Sequence, residues 1–222
     1  MLRSLKDLEH YQVEATDGAI GDVERFLLDD ERWIVRYLVV KTGGFFDGRR
    51  VLISPASFRQ ADWSTQRFHL ALTMDGIKAS PNIDPDLPVL RQNEPTIRSD
   101  EEIRGYKVQG SDEAIGHVED FIVDDETWQV RYLVIDTSNW WFGKKVLVAP
   151  QWTSSISRAD GIIHVAMTRQ AIKASPEWNE TTATLNRNFE ARLYDYYGRP
   201  VYWGDGDRLV RASKTHSKSH SS

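Results

Sequence analysis

The chain has 222 residues, of which 40% are hydrophobic and 27% charged, so it can bury a core and is not a disordered chain. Its 33 acidic residues against 28 Lys and Arg give a net charge of −5, which argues against a general polyanion binder. The absence of cysteine excludes a disulfide framework, a thiolate nucleophile and cysteine-ligated zinc or iron–sulfur clusters.

The first predicted elements are short strands joined by turns. Residues 11–14 alternate in polarity and meet a Thr-Asp-Gly turn, and a longer strand follows over residues 20–28. Val23 and Phe26 have opposite parity along this strand, which predicts either a bulge or packing on both faces. The acidic run at residues 29–31 predicts a hairpin turn, because Asp side chains hydrogen-bond to nearby backbone in turns.

The following elements lead to a short helix. Residues 33–39 predict a strand rich in β-branched and aromatic side chains, with its odd-numbered positions on one face. Further strands are predicted over residues 50–55 and 67–72, and Thr73 is expected to cap a helical turn over residues 74–79. Five or six such strands favour a small closed or half-open β-barrel, and closure would protect exposed sheet edges.

The chain repeats itself at an offset of 95 residues. Residues 17–24 lie over residues 112–119, and 33 of the first 81 positions are identical in the two copies. A repeat near 80 residues is too long for a solenoid unit, so two domains with separate cores are expected.

These patterns divide the chain into five parts. A first repeat covers residues 1–83, a proline-rich linker residues 84–95, and a second repeat residues 96–178. Residues 179–204 form an aromatic C-terminal segment that is expected to contain a packed helix. Residues 205–222 form a basic Ser/Lys/His tail that is expected to be disordered.

The aromatic C-terminal segment has a helical pattern. Phe189, Leu193 and Tyr196 or Tyr197 have helical spacing, and Gly198 is the expected end of the helix. We expect this helix to pack across one or both repeats. The alternative is a dimerisation or partner-docking element.

Three segments of the repeat resemble the PRC-barrel domain family. They are residues 21–30, 35–40 and 48–55, each with a counterpart 95 residues later. The resemblance implies a mainly β fold of two tandem small PRC-type β-barrels with short terminal helical turns, followed here by the aromatic C-terminal helix. The family occurs in the cytoplasmic H subunit of bacterial photosynthetic reaction centres, in ribosome maturation factors and in free-standing bacterial proteins, and this chain is similar to the free-standing tandem type. In these settings the domain is a docking module, and it supplies no family-wide catalytic residues.

Aromatic residues in loops and in the C-terminal segment are the candidate partner-binding sites. Exposed aromatic side chains beside basic residues are typical of interface hot spots, whereas the alternative is that one aromatic of each loop pair caps its own barrel. The candidates are Phe45, Phe46, Trp140, Trp141, Phe142, Tyr196, Tyr197 and Trp203.

No pattern predicts catalytic chemistry. The loop at residues 43–50 has the glycine spacing of a phosphate loop, but it lacks the following hydroxyl and leads into a strand. No acid/base carboxylate pair or nucleophile elbow stands out, so no catalytic residue, cofactor or metal site is predicted. Glu24 with Arg36, and Glu119 with Arg131, are predicted as cross-strand ion pairs if the hairpin loop has three residues.

The leading functional prediction is a non-enzymatic, protein-binding scaffold or adaptor. A cytoplasmic location is expected, because no stretch resembles a signal peptide or a membrane span. The partner is an unidentified protein, self-association stays open, and the net charge argues against nucleic acid. The alternative is an RNA- or ribosome-associated assembly factor, which the tail residues Arg208, Arg211, Lys214 and Lys218 favour. A third reading is a peripheral accessory of a photosynthetic or electron-transport membrane complex.

Overall fold

The computed structural model describes residues 1–43, 48–79, 94–137, 143–179 and 185–203, and short strands dominate them. The elements of the first repeat are β1 (Leu2–Ser4), α1 (Leu5–Leu8), β2 (Gln12–Ala15), β3 (Gly18–Asp29), β4 (Ile34–Thr42), β5 (Arg50–Ile53), β6 (Phe58–Asp62), β7 (Arg67–Leu70) and α2 (Met74–Lys78). Those of the second are β8 (Ile97–Ser99), α3 (Asp100–Ile103), β9 (Lys107–Gln109), β10 (Ala114–Asp124), β11 (Val130–Asp136), β12 (Lys145–Val148), β13 (Thr153–Ser157), β14 (Ile162–Val165) and α4 (Arg169–Ala174), and α5 (Arg187–Tyr196) follows.

The strands form two sheets of the same topology. The first has the order β5-β4-β3-β2-β7-β6, the second has the order β12-β11-β10-β9-β14-β13, and one further strand joins each sheet. The predicted mainly β architecture is therefore confirmed. In the described residues no ladder joins the two end strands of either order, so hydrogen bonds do not close these sheets into the predicted barrels.

Local signals in the sequence determine the predicted helical turn. The Thr73 side chain accepts a hydrogen bond from the Gly76 backbone N–H at 3.1 Å, which caps α2. Thr168 caps α4 in the same way, with the Ala171 N–H as donor at 3.2 Å. The prediction of a capped helical turn after the last strand is confirmed in both repeats.

Two bulges interrupt the pairing of β3 with β4. The register shifts at Glu24 and again at Arg36, which are extra residues without a cross-strand partner. The predicted bulge is confirmed, but the second one changes the parity of β4. Val35 therefore faces the main core, whereas Tyr37 and Val39 belong to a smaller outer cluster. The expectation that the odd-numbered positions of residues 33–39 share one face is wrong for this reason.

The bulges also explain why the predicted cross-strand ion pairs are wrong. Both Glu24 and Arg36 are bulge residues, so they do not lie opposite each other, and the same is true of the pair 95 residues later. An oxygen of the Glu24 carboxylate lies 2.5 Å from Nε of Arg50 on β5. Glu119 lies 2.9 Å from Nζ of Lys145, the equivalent of Arg50.

Each sheet receives its additional strand from the other repeat. β1 pairs antiparallel with β10, where Ser4 lies opposite Ile122, and β8 pairs antiparallel with β3, where Ser99 lies opposite Leu27. Ser4 and Ser99 are equivalent positions of the two copies, as are Leu27 and Ile122. The exchange of the N-terminal strands is therefore reciprocal and follows a pseudo-twofold axis.

Equivalent residues of the two copies meet on this axis. A backbone bridge joins Ile34 of the first repeat to Gln129, the equivalent residue of the second repeat. On one side the Val35 N–H donates to the Trp128 carbonyl at 2.9 Å, and on the other the Val130 N–H donates to the equivalent tryptophan carbonyl at 2.7 Å.

The main hydrophobic core is continuous between the repeats. Trp128, at the end of the second repeat's hairpin turn, lies 5.9 Å from Phe68 and 6.5 Å from Phe26 of the first repeat, measured between ring centroids. Buried side chains of both repeats belong to this one cluster. The expectation of separate cores is wrong, because the exchanged segments and the tryptophans pack across the axis.

The aromatic C-terminal segment forms the predicted helix, α5. It begins after Asn186, whose side chain accepts a hydrogen bond from the Phe189 N–H at 3.0 Å. It ends near Gly198, which has the left-handed φ of +59° typical of a residue after a helix. Leu193 and Tyr194 are buried against the second repeat, so the expected packing of this helix is confirmed.

Candidate functional site

A cleft lies where the first repeat meets the hairpin turn of the second. The start of β4, the turn after β5 and strand β6 form one side, and the second repeat's hairpin turn forms the other. We call it the open cleft; its volume is about 510 Å³, and its lining includes Arg36, Pro55, Ala56, Phe58, Arg59 and Trp128.

Packed aromatic rings form the wall of the open cleft. Phe58 stacks on Phe68 with ring centroids 4.8 Å apart, and it meets Trp128 edge-on at 5.4 Å. Trp128 has a left-handed φ of 58°, and the equivalent Trp33 has a φ of 54°. This conformation costs a non-glycine residue about 1–2 kcal/mol. Two features stabilise it: the indole is buried, and the tryptophan carbonyl accepts a backbone hydrogen bond across the axis.

The same position in the second repeat is a second, smaller cleft. We call it the covered cleft; its volume is about 290 Å³, and its lining includes Trp33, Arg131, Pro150 and Gln151. Apart from Trp33, which is equivalent to Trp128, these are the counterparts of Arg36, Pro55 and Ala56. The C-terminal segment covers this cleft and contributes Tyr194 and Tyr202 to its lining.

Specific contacts hold the two tyrosines at the covered cleft. The Gln151 side-chain amide donates to the Tyr194 hydroxyl oxygen at 3.0 Å, and the Tyr194 ring meets Trp152 at 5.0 Å. The Arg131 guanidinium lies 4.3 Å from the centre of the Tyr202 ring, which is a cation–π contact. The cleft therefore recognises aromatic side chains by edge contacts, a hydrogen bond and a stacked guanidinium.

A buried carboxylate completes the attachment of the helix. Glu190 on α5 accepts hydrogen bonds from the Tyr132 hydroxyl at 2.8 Å and the Tyr202 hydroxyl at 2.7 Å. Burial and the nearby carboxylate hold the pKa of Tyr132 far above its usual value. Tyr37, the counterpart of Tyr132, is only half-buried and donates to Glu94 at 3.0 Å.

A cluster of ionisable groups is buried between the repeats. Nη2 of Arg104 lies 2.7 Å from the Asp100 carboxylate and 3.7 Å from that of Asp120, and its Nη1 lies 2.5 Å from Glu9. The Ser4 hydroxyl donates to Asp120 at 2.5 Å. Asp100 and Asp120 are fully buried, and burial raises the pKa of each to about 6, although Arg104 and hydrogen bonds act in the opposite direction.

This polar cluster holds the exchanged segments in place. Asp100 accepts a hydrogen bond from the Phe26 N–H of β3 at 2.9 Å, and Asp120 accepts one from the Lys6 N–H of α1 at 3.2 Å. Each carboxylate therefore joins one repeat's N-terminal segment to the other repeat's long strand. Their place in the interior favours a structural role over a catalytic one.

The acidic runs form turns, as predicted. The Asp29 carboxylate accepts hydrogen bonds from the N–H groups of Glu31 and Arg32 at 3.1 and 2.9 Å. Asp124 does the same for Glu126 at 3.0 Å. The next acid, Asp30, binds Arg158 of the second repeat through two contacts of 2.7 and 2.8 Å.

The predicted partner-binding residues fall into two groups. Phe45, Phe46, Trp140, Trp141 and Phe142 lie outside the described residues, so their role stays a prediction.

The other three candidates lie in the C-terminal segment. The Tyr197 ring packs 4.9 Å from Trp152, which attaches the segment to the second repeat, and the Trp203 ring packs 5.3 Å from Tyr194 within the segment itself. Tyr196 is 41% exposed, and its hydroxyl donates to the Ala171 carbonyl at 2.7 Å. A partner contact by any of the three stays a prediction.

Sequence reasoning missed the open cleft. Strand β6, which carries Phe58, is not among the predicted elements, and the opposing wall comes from the other repeat. A signal does exist in the alignment of the copies: Ala56 and Ser57 stand where the second repeat has Gln151 and Trp152. The two copies therefore differ in sequence at the positions where α5 covers the second copy.

Comparison with known protein families finds one that is similar to part of the chain. Residues 95–170, which include β8 to β14, match the PRC-barrel domain. The match covers most of the second repeat, and a PRC-barrel domain in the first repeat stays a prediction. No curated protein matches the chain. Within the described residues, every helix is too short or too polar to cross a membrane.

Proposed function

We propose that this chain is a protein-binding scaffold or adaptor without catalytic activity of its own. The observation that carries the proposal is the open cleft, whose counterpart in the second repeat is partly covered by a protein segment, α5 and the residues after it. The PRC-barrel match supports it, because this domain suggests a protein-interaction module. The non-enzymatic part is supported by the two carboxyls with pKa values near 6, which are buried between the repeats rather than exposed in a cleft.

The interlocked repeats fit a scaffold. Strand exchange and the continuous core give the open cleft walls from both halves, so the cleft exists only in the assembled pair. A preformed site binds with a smaller loss of conformational entropy than a flexible one. We place this scaffold in the cytoplasm and leave its self-association to measurement.

Affinity capture of the tagged full-length chain, with and without nuclease, tests this function. Stable recovery of one protein in both conditions supports the scaffold. Nuclease-sensitive recovery of ribosomal proteins would instead favour the RNA- or ribosome-associated alternative. Recovery of subunits of a photosynthetic or electron-transport membrane complex would favour the third reading, a peripheral accessory of such a complex. Replacing Trp140 and Trp141 with Ala tests the loop anchors: unchanged recovery with an intact fold contradicts them.

A further inference from the structure

The two clefts are one structural position that occurs twice in the same chain. Each has a proline-containing turn and an arginine of the bulge on one side and the other repeat's tryptophan on the opposite side. The second copy therefore shows what kind of structure packs at this position. It is a helix of the same chain and the turn after it, which present aromatic side chains to the cleft.

Among the described residues, the burial of equivalent positions shows that the first copy is less covered than the second. Pro150 and Tyr132 are buried beneath the C-terminal segment, whereas Pro55 and Tyr37 are half-buried. Ala56 is exposed at the rim. The open cleft thus has room that its counterpart does not have, about 510 against about 290 Å³.

The open cleft also presents cationic groups. The Arg36 side chain is 42% exposed and lies 3.9 Å from Glu94, whereas its counterpart Arg131 stacks on a tyrosine ring. Arg59 is exposed, and within the described part of the chain its side chain makes no hydrogen bond or ion pair. An aromatic ring of a partner can stack on the Arg36 guanidinium, and a carboxylate can form an ion pair with the Arg59 guanidinium.

We propose that the open cleft docks an amphipathic helix of a partner protein, which inserts an aromatic side chain between Pro55, Phe58 and Trp128 and places an acidic residue near Arg59. This inference rests on the proposed scaffold function and specifies its surface and ligand. α5 likewise carries an acidic and an aromatic residue four positions apart on its buried face, Glu190 and Tyr194, although Glu190 there binds tyrosine hydroxyls. A second copy of the chain is the competing occupant.

A fluorescein-labelled synthetic peptide of residues 185–203 is the probe, since it already fits the equivalent position. Its anisotropy is measured during titration with the full-length chain. We expect saturable binding that Ala56→Trp weakens at least about tenfold by filling the cleft. Arg36→Ala is expected to weaken it about fivefold by removing the guanidinium that stacks on the ring. Ala174→Trp, at an exposed position on the end of α4, is the matched control and leaves binding unchanged.

Three results would overturn the inference. They are the absence of saturable binding, binding that Ala56→Trp does not weaken, and a dimer in sedimentation experiments that Ala56→Trp dissociates, since this last would make a second copy the occupant. None of them contradicts the scaffold function, which partner capture with the unmodified chain tests separately. Circular dichroism of each variant confirms that the fold is retained.

Discussion

Glu9 and Arg104 occupy equivalent positions of the two repeats, and their side chains form an ion pair with 2.5 Å between Oε1 and Nη1. Two identical copies related by a twofold axis would bring like charges together here. Duplication within one chain allows opposite charges at the same position, and it allows Asp100 to stand where the first repeat has Leu5. The two halves have therefore diverged into complementary partners rather than independent domains.

Replacing Arg104 with Met is expected to destabilise the whole fold. The change leaves Asp100 and Asp120 buried without their cation, which costs about 3–5 kcal/mol in the free energy of unfolding. Urea denaturation of both proteins measures the loss. A double variant with Asp100→Asn should lose less than the sum of the two single changes, because the two side chains are in contact. Strict additivity would contradict the ion pair.

The stability of the protein should rise as the pH falls from 7 to 5. The folded-state pKa values of Asp100 and Asp120 are about 6, above the ordinary value of 3.8, so the folded state binds these protons more tightly than the unfolded state. The gain is complete below the unfolded pKa and is lost as the pH rises through about 6. Each carboxyl contributes about 1 kcal/mol between pH 7 and pH 5.

Denaturation curves at pH 5, 6 and 7 test this pH dependence. The Asp100→Asn and Asp120→Asn variants should each lose about half of the increase, because Asn does not titrate. A protein that becomes less stable toward pH 5, or variants that keep the full increase, would show that these carboxyls do not titrate near pH 6.

Replacing Glu190 with Ala should loosen the C-terminal helix. The buried Tyr132 hydroxyl loses its acceptor, which costs about 1–3 kcal/mol, and the half-buried Tyr202 hydroxyl loses the same acceptor at a smaller cost. We expect faster hydrogen exchange in α5 and a lower free energy of unfolding. Asp195→Ala, at an exposed position of the same helix, should change stability by less than about 0.5 kcal/mol. Equal effects of the two variants would contradict the buried attachment.

Gly21 is expected to tolerate no side chain. A Cβ at this position would lie 2.0 Å from the Lys41 carbonyl oxygen of β4, the strand that pairs with β3. Gly21→Ala should therefore cost about 1–3 kcal/mol or more, since backbone must move. Gly43→Ala is the control, because a Cβ there meets, among the described residues, only the Ile20 carbonyl oxygen, at 4.0 Å. Similar melting temperatures for the two variants would refute the close approach.

Local patterns predicted the elements, and non-local pairing decided the rest. The mainly β pattern, the acidic turn at Asp29 and the cap at Thr73 depend on neighbours in sequence, and the structure confirms them, whereas the bulge at Arg36 changed the predicted alternation of β4. The exchange of β1 and β8 could not be predicted, because two copies with the same pattern offer the same pairing partner twice. The open cleft was missed for the same reason, since its walls come from both copies.

Pairing of Leu27 with Ser99 is the most direct test of the interlocked architecture. Their Cα atoms are cross-strand partners in β3 and β8, and the natural chain has no cysteine to interfere. Leu27→Cys with Ser99→Cys should form a disulfide within one chain on mild oxidation. Leu27→Cys with Ser4→Cys, the pairing expected if each repeat kept its own first strand, should not. A disulfide in the second variant instead of the first, or a covalent dimer in the first, would contradict exchange within the chain.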